Sequence, residues 1–148
     1  MAREKRKQKK TGNKEKAAAP SFNVSSMPGP DTITRVELPN GIIVLVSENF
    51  NSPAVVIDGS LPVGALYESR EKAGLARFVA ASLMRGTKKY SFEQIYEQIE
   101  SIGARLSIGG GTHTTGFSSK GLAEDLDFLL GVLAEALRHP TFPLDQVE

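Results

Sequence analysis

Hydrophobic and polar positions fall into distinct blocks from residue 33 onward. Residues 33–38 (Ile-Thr-Arg-Val-Glu-Leu) read as a strand, and 42–47 (Ile-Ile-Val-Leu-Val-Ser) as its return. Pro39-Asn40-Gly41 supplies the Asn-Gly turn that hairpins favour. The unbroken apolar run of the return strand predicts burial on both of its faces. Residues 54–66 predict a long strand with a bulge or an edge at Pro62. A helix follows over about 73–85. Its core stripe would be Leu75, Phe78, Val79, Ser82 and Leu83, at i, i+3, i+4, i+7 and i+8, with Gly86 ending it. Arg77, Ala80 and Ala81 fall on an adjacent strip. A second helix starts at Ser91, where Gln94 completes a capping box, and stops at Gly103. Its inner face is Phe92, Ile95, Ile99 and Ile102. Two short strands, about 104–109 and 113–119, flank Gly109-Gly110-Gly111, a run suited to extra twist or a bulge. A third helix over 122–138 carries Leu122, Leu126, Leu129, Leu130, Leu133 and Leu137 on one face, and Pro140 closes it. Another helix should start near the last residues. The order β-β-β-α-α-β-β-α groups strands and helices, which predicts an α+β fold: an antiparallel-rich sheet with helices packed on one face.

Charge divides the chain more sharply than composition does. Residues 1–20 hold eight Lys/Arg and two Glu, while the remainder holds ten basic and fifteen acidic residues. The overall net charge of +1 therefore hides a basic arm on an acidic body. The arm has almost no large apolar side chain, so nothing offsets its chain entropy and disorder is expected over 1–30, tail and linker together. Residues 31–148 form the predicted folded domain. The arm is Lys-rich and lacks the amphipathic face of a mitochondrial presequence. There is no secretory apolar core and no run long enough to span a bilayer. These features favour a soluble, cytoplasmic protein, with a mitochondrial location as the alternative. There is no Cys, so neither disulfides nor thiolate metal sites arise.

Candidate chemistry centres on the first helix. The segment Gly74-Leu75-Ala76-Arg77-Phe78-Val79-Ala80-Ala81-Ser82-Leu83-Met84-Arg85-Gly86-Thr87 resembles the zinc-binding segment of the pitrilysin and mitochondrial-processing-peptidase family. The family pattern is G-[LI]-A-H-F-L-E-H-M-x-F-x-G-T. In that pattern H-x-x-E-H puts two imidazoles and a general base on one helical face around a zinc-bound water. Here Arg77 stands at the first His, Ala80 at the Glu and Ala81 at the second His. A guanidinium has no lone pair to donate and repels a metal cation. Neither methyl group can ligate or take a proton. The resemblance covers about 33–148. It includes the Leu38-Pro39-Asn40-Gly41 turn, the approach Gly64-Ala65-Leu66-Tyr67-Glu68, Lys88-Lys89-Tyr90-Ser91, Ile99-Glu100-Ser101-Ile102-Gly103-Ala104 and Pro140-Thr141-Phe142. It implies the N-terminal part of a longer domain, since the family's third zinc ligand lies well past Glu148.

What the resemblance implies for function is a non-catalytic subunit. Many members work as pairs in which one subunit carries zinc and the other completes the chamber around an extended peptide. The expected partner is a related catalytic subunit or a second copy of this chain. Zinc is expected only in the catalytic partner, and no cofactor in this chain. Arg77 is the candidate contact to a peptide carboxylate, against the simpler reading of an ordinary surface charge. The alternative is a structural core subunit of a respiratory-type complex, a role that some motif-less members of the family have. A third reading is an active enzyme using other residues.

Other motifs carry less. Glu135 and His139, four apart on a helix, form at most half a metal site, and a His in a last helical turn suits the helix dipole without any metal. His113 reads as a polar strand residue. Gly111-Thr112-His113-Thr114-Thr115-Gly116 lacks the Lys of a phosphate-binding loop. No G-x-S-x-G elbow is present for a serine hydrolase. Tyr90 and Phe117 are isolated aromatics, so the body has no stacking platform for nucleic acid. Only the basic tail has the charge for such a partner.

Overall fold

The protein is seen here as a computed structural model that describes residues 28–147. The basic arm lies outside the described residues, as does the expectation of disorder over 1–30 except at 28–30. The chain divides into two compact units, at Asn49 and Phe50.

The first unit holds an antiparallel hairpin, β1 (Ile33–Glu37) with β2 (Ile43–Ser47). The Asn-Gly turn forms as expected. Gly41 takes the left-handed conformation at φ 84°, and the Ile42 N–H donates to Asn40 Oδ1 at 3.2 Å. The burial expected for β2 is not found. Its strand pairs with β1 alone, and Ile43, Leu45 and Val46 are exposed. An apolar run reports a tendency to be covered, and no second layer of this unit covers it.

The second unit is a three-stranded antiparallel sheet with helices. Its strands are β3 (Ala54–Leu61), β4 (Arg105–Gly110) and β5 (Thr115–Leu122), in the order β3-β5-β4. The register explains which face is covered. Because side chains alternate, Thr115, Phe117, Ser119 and Gly121 of β5 share a face with their partners Leu61, Gly59, Ile57 and Val55, and with Leu106, Ile108 and Gly110. Leu106 and Ser119 on that face are buried. The opposite face carries Val56, Asp58, Arg105, Ser107, Ser118 and Lys120, all exposed. The helices are α1 (Leu75–Ser82), α2 (Phe92–Ser101), α3 (Leu126–Arg138) and the single turn α4 (Leu144–Val147). A Cβ at Gly121 would meet Leu129 of α3, and one at Gly110 would meet the backbone of α1. Both helices therefore lie over the same face, as the α+β expectation required.

The core joins α2 and α3 to this face. Ile95, Ile99, Leu129, Val132, Leu133 and Ala136 are buried with Leu106 and Met84. The α2 capping box is present: Ser91 Oγ accepts from the Gln94 N–H, and Gln94 Oε1 accepts from the Ser91 N–H at 2.9 Å. Gly103, at φ 64°, turns the chain out of α2.

Several boundaries and faces differ from expectation. Strand β3 ends at Leu61, because Pro62 has no N–H for the ladder. Residues 122–125 finish β5 and make a 3-10 turn, so α3 starts at Leu126, and its buried face includes Val132 and Ala136 while Leu130 is exposed. The β4–β5 register runs unbroken to Gly110 and Thr115, so the triple glycine makes no bulge. His113 lies in the turn between these strands and is exposed.

Candidate functional site

Helix α1 is fixed at both ends of its first turn. Its N-cap is Gly74, left-handed at φ 98°, which has no side chain to cap the free N–H groups. Glu68 does so from six residues upstream. Its Oε2 accepts from the Gly74 N–H at 2.7 Å and its Oε1 from the Ala76 N–H. A carboxylate is also the charge a helix N-terminus prefers. From below, Gly110 lets β4 come against the helix backbone. A Cβ there would sit 2.8 Å from the Ala76 carbonyl oxygen and 2.9 Å from Arg77 Cα. Neighbouring main chain is tied in as well: the Ala65 and Leu66 N–H groups donate to the Gly111 and Thr112 carbonyls at 3.1 and 3.0 Å, and Thr115 Oγ1 donates to the Val63 carbonyl at 3.0 Å.

The three singled-out positions part company on this helix. Arg77 and Ala81, one turn apart, are exposed, whereas Ala80 is only 2% exposed and turns inward. Arg77 makes no ion pair with any described residue; those present are Arg35–Glu37 and Glu135–His139. The predicted core stripe is corrected here. Phe78 is 52% exposed, and Leu75 and Val79 are exposed too, while Ala80, Ser82, Leu83 and Met84 are buried. The close approach of β4 leaves room for little beneath the first turns, so the small Ala80 is buried where larger apolar side chains were expected. The outer face is apolar, and Leu75 and Phe78 line an open concavity with Lys72 and Gly74.

Among the described residues no three His, Cys, Asp or Glu groups come together to hold a metal ion. His139 Nδ1 lies 3.3 Å from Glu135 Oε1, a pairing within α3's last turn. Sequence reasoning noted Glu68 only as part of a pattern and missed its capping role. The available signal was a carboxylate a few residues ahead of a glycine that opens a helix with no Ser, Thr, Asp or Asn to cap it.

Residues 43–148 match the family described as Insulinase (Peptidase family M16). The chain belongs to the M16 peptidase family. Its relatives fall into distinct kinds. It is 30% identical over 110 residues to a probable mitochondrial-processing peptidase subunit beta of Arabidopsis thaliana, covering 74% of this chain and 21% of that one. It is 28% identical to an uncharacterized zinc protease of Rickettsia bellii, covering 75% and 27%. It is 26% identical to the mouse cytochrome b-c1 complex subunit 2, covering 84% and 28%. A Helicobacter pylori protease of known crystal structure superposes with a TM-score of 0.68 at 20% identity, over 77% of this chain and 27% of that one, and so shares the fold. The chain thus spans about a quarter of the length of such relatives. Zinc is the metal that the M16 zinc proteases imply, and the residues of α1 do not suit it. A guanidinium and two methyl groups offer no lone pair where the family pattern has His, Glu and His.

Proposed function

We propose that this M16 chain belongs to a non-catalytic, peptidase-like subunit that pairs with a zinc-bearing relative and helps to enclose and position extended peptides. One observation carries the reading: α1 keeps the sequence frame of the family's zinc helix, capped here by Glu68 and seated on Gly110, while positions 77, 80 and 81 hold Arg, Ala and Ala. The scaffold for the chemistry is in place and the groups that perform it are not. Strand β4 supports the peptide-positioning part. It lies at the edge of its sheet, so one row of its main-chain groups is open to an added extended strand. The Arg77 main chain packs against Gly110, the last residue of that strand, and its side chain is exposed. From there its guanidinium can form a forked pair with a peptide carboxylate. Catalytic zinc belongs to the partner in this reading.

A second reading is a structural core subunit, favoured by the likeness to the cytochrome b-c1 subunits of mouse and rat. Affinity purification from the cells that make the protein separates the two. Recovery of a relative with an intact His-x-x-Glu-His supports the peptidase pair. Recovery of membrane respiratory subunits supports the scaffold. Zinc titration completes the test: the native chain should bind no stoichiometric zinc at α1, and the variant R77H/A81H, whose two positions are exposed and one turn apart, should gain a measurable zinc affinity. Stoichiometric zinc together with peptide cleavage by the native chain alone overturns the proposal.

A further inference from the structure

We propose that a second concavity, between residues 85–93 and 141–146, receives carboxylate side chains from an acidic segment of a partner polypeptide. The cavity has a volume of about 340 Å³ and is walled by Arg85, Lys88, Lys89, Tyr90, Phe92 and Pro143 among others. None of its residues is at positions 77, 80 or 81, so the inference is independent of the reading of α1.

Three cations meet here without a carboxylate partner in any ion pair among the described residues. Two of them rest on aromatic rings. The Arg85 guanidinium carbon is 5.0 Å from the Phe92 ring centroid, and Lys89 Nζ is 5.0 Å from that of Tyr90. A cation over a ring uses its charge and leaves its N–H donors for another acceptor. Tyr90 beside it, and more weakly the charge of the Glu135 carboxylate, hold the Lys89 proton beyond the ordinary lysine range. The two acids of the wall are engaged locally. Glu93 Oε2 accepts from Ser91 Oγ at 2.9 Å, and Asp145 Oδ2 accepts from Gln146 Nε2 at 3.3 Å.

The frame is held before any ligand arrives. The Thr87 N–H donates to the Tyr90 carbonyl at 2.9 Å, and Thr87 Oγ1 accepts from the Tyr90 N–H at 3.0 Å. The Lys88 N–H donates to the His139 carbonyl and the Thr141 N–H to the Gly86 carbonyl, both at 3.0 Å, which ties the two walls together. Gly86, at φ 153°, packs with only 3.0 Å between a Cβ position and Pro143. The chemistry of the walls selects the ligand. Glu93 and Asp145 beside the cations disfavour a doubly charged phosphate more than a singly charged carboxylate. Tyr90, Phe92 and Pro143 offer apolar contact to the stem of a Glu side chain or to a neighbouring residue of its segment.

The test is site-resolved NMR of the full chain titrated with a short Glu-rich peptide at low salt. Shifts at the amides of residues 86–92 are expected, and the exposed-site variant R85Q/K89Q should weaken them about tenfold. K88Q should weaken them by a smaller factor. K120Q, on the uncovered face of the sheet, should leave them unchanged. Shifts confined to the basic arm overturn the proposal, as does an unchanged affinity in R85Q/K89Q. Displacement of the peptide by an equal concentration of inorganic phosphate also overturns it.

Discussion

Two residues decide most of what α1 can do, and they act through different physics. Glu68 fixes the helix start by accepting from Gly74 and Ala76. Replacing it with Ala leaves both N–H groups without that partner and removes a favourable charge from the helix N-terminus. The expected cost is about 1–2 kcal/mol, read as a lower urea midpoint at unchanged slope. Gln should recover part of the loss, since its amide oxygen can still accept one of the two bonds. Arg77 acts outward. It is exposed and makes no ion pair with a described residue, so Arg77→Ala should change stability by less than about 0.5 kcal/mol. In the proposed subunit pair the same substitution should raise KM for peptides with an acidic residue and leave KM for neutral peptides unaltered, as measured by steady-state cleavage. Equal effects on both substrate classes would return Arg77 to an ordinary surface charge.

At the scale of elements, the seat of α1 on β4 is the contact to perturb. Gly110→Ala places a methyl group 2.8 Å from the Ala76 carbonyl oxygen, where backbone has to move. The expected loss is about 1–3 kcal/mol by chemical denaturation. Gly109→Ala is the internal comparison: nothing lies within 4 Å of its Cβ, and the change should be near neutral or slightly stabilising. Equal costs at both positions would mean that strand conformation, and not the approach of α1, sets the need for glycine. This contact also explains how far the elements were legible. The capping box at Ser91, the hairpin turn at Asn40-Gly41, the helix stop at Gly103 and the grouping of strands and helices are local signals, and all are present in the fold. The stripe of α1 held at Ser82 and Leu83 and failed at Leu75, Phe78 and Val79, because periodicity assumes that the largest apolar residues point inward. Here the sheet comes so close at Gly110 that the first turns of the helix turn the small Ala80 inward and leave Leu75, Phe78 and Val79 outside. The apolar run of β2 failed for the related reason that hydrophobicity marks a surface to be covered without saying by what. The three motif positions were legible as a departure from a pattern, but the inward turn of Ala80 depends on tertiary packing that no spacing reveals.

Across the whole molecule, protection should be unequal between the two units. Strand β5 is paired on both sides and has α3 packed over Gly121. Strand β2 has one partner, β1, and its Ile43, Leu45 and Val46 are exposed. A two-stranded hairpin has little to hold it beyond cross-strand side-chain pairs, and such ribbons are marginal in water. The amides of 33–47 should therefore exchange through local opening, while those of β5 should need the opening of the second unit's core. A difference of at least about a hundredfold in exchange rate is expected, corresponding to about 2.7 kcal/mol of opening free energy. Hydrogen exchange read by mass spectrometry on peptides from the two strands measures it directly. The apolar residues of the hairpin make the result informative in either direction. If the isolated chain shows the difference and the protein purified with its partner loses it, then the hairpin is covered on assembly, and its exposed Ile and Leu side chains are interface residues. If 33–47 is already as protected as β5 in the isolated chain at low concentration, then two strands alone do not account for the hairpin's stability. Self-association must then be tested by repeating the measurement across a dilution series, where protection by a second copy falls with concentration and protection within one chain does not.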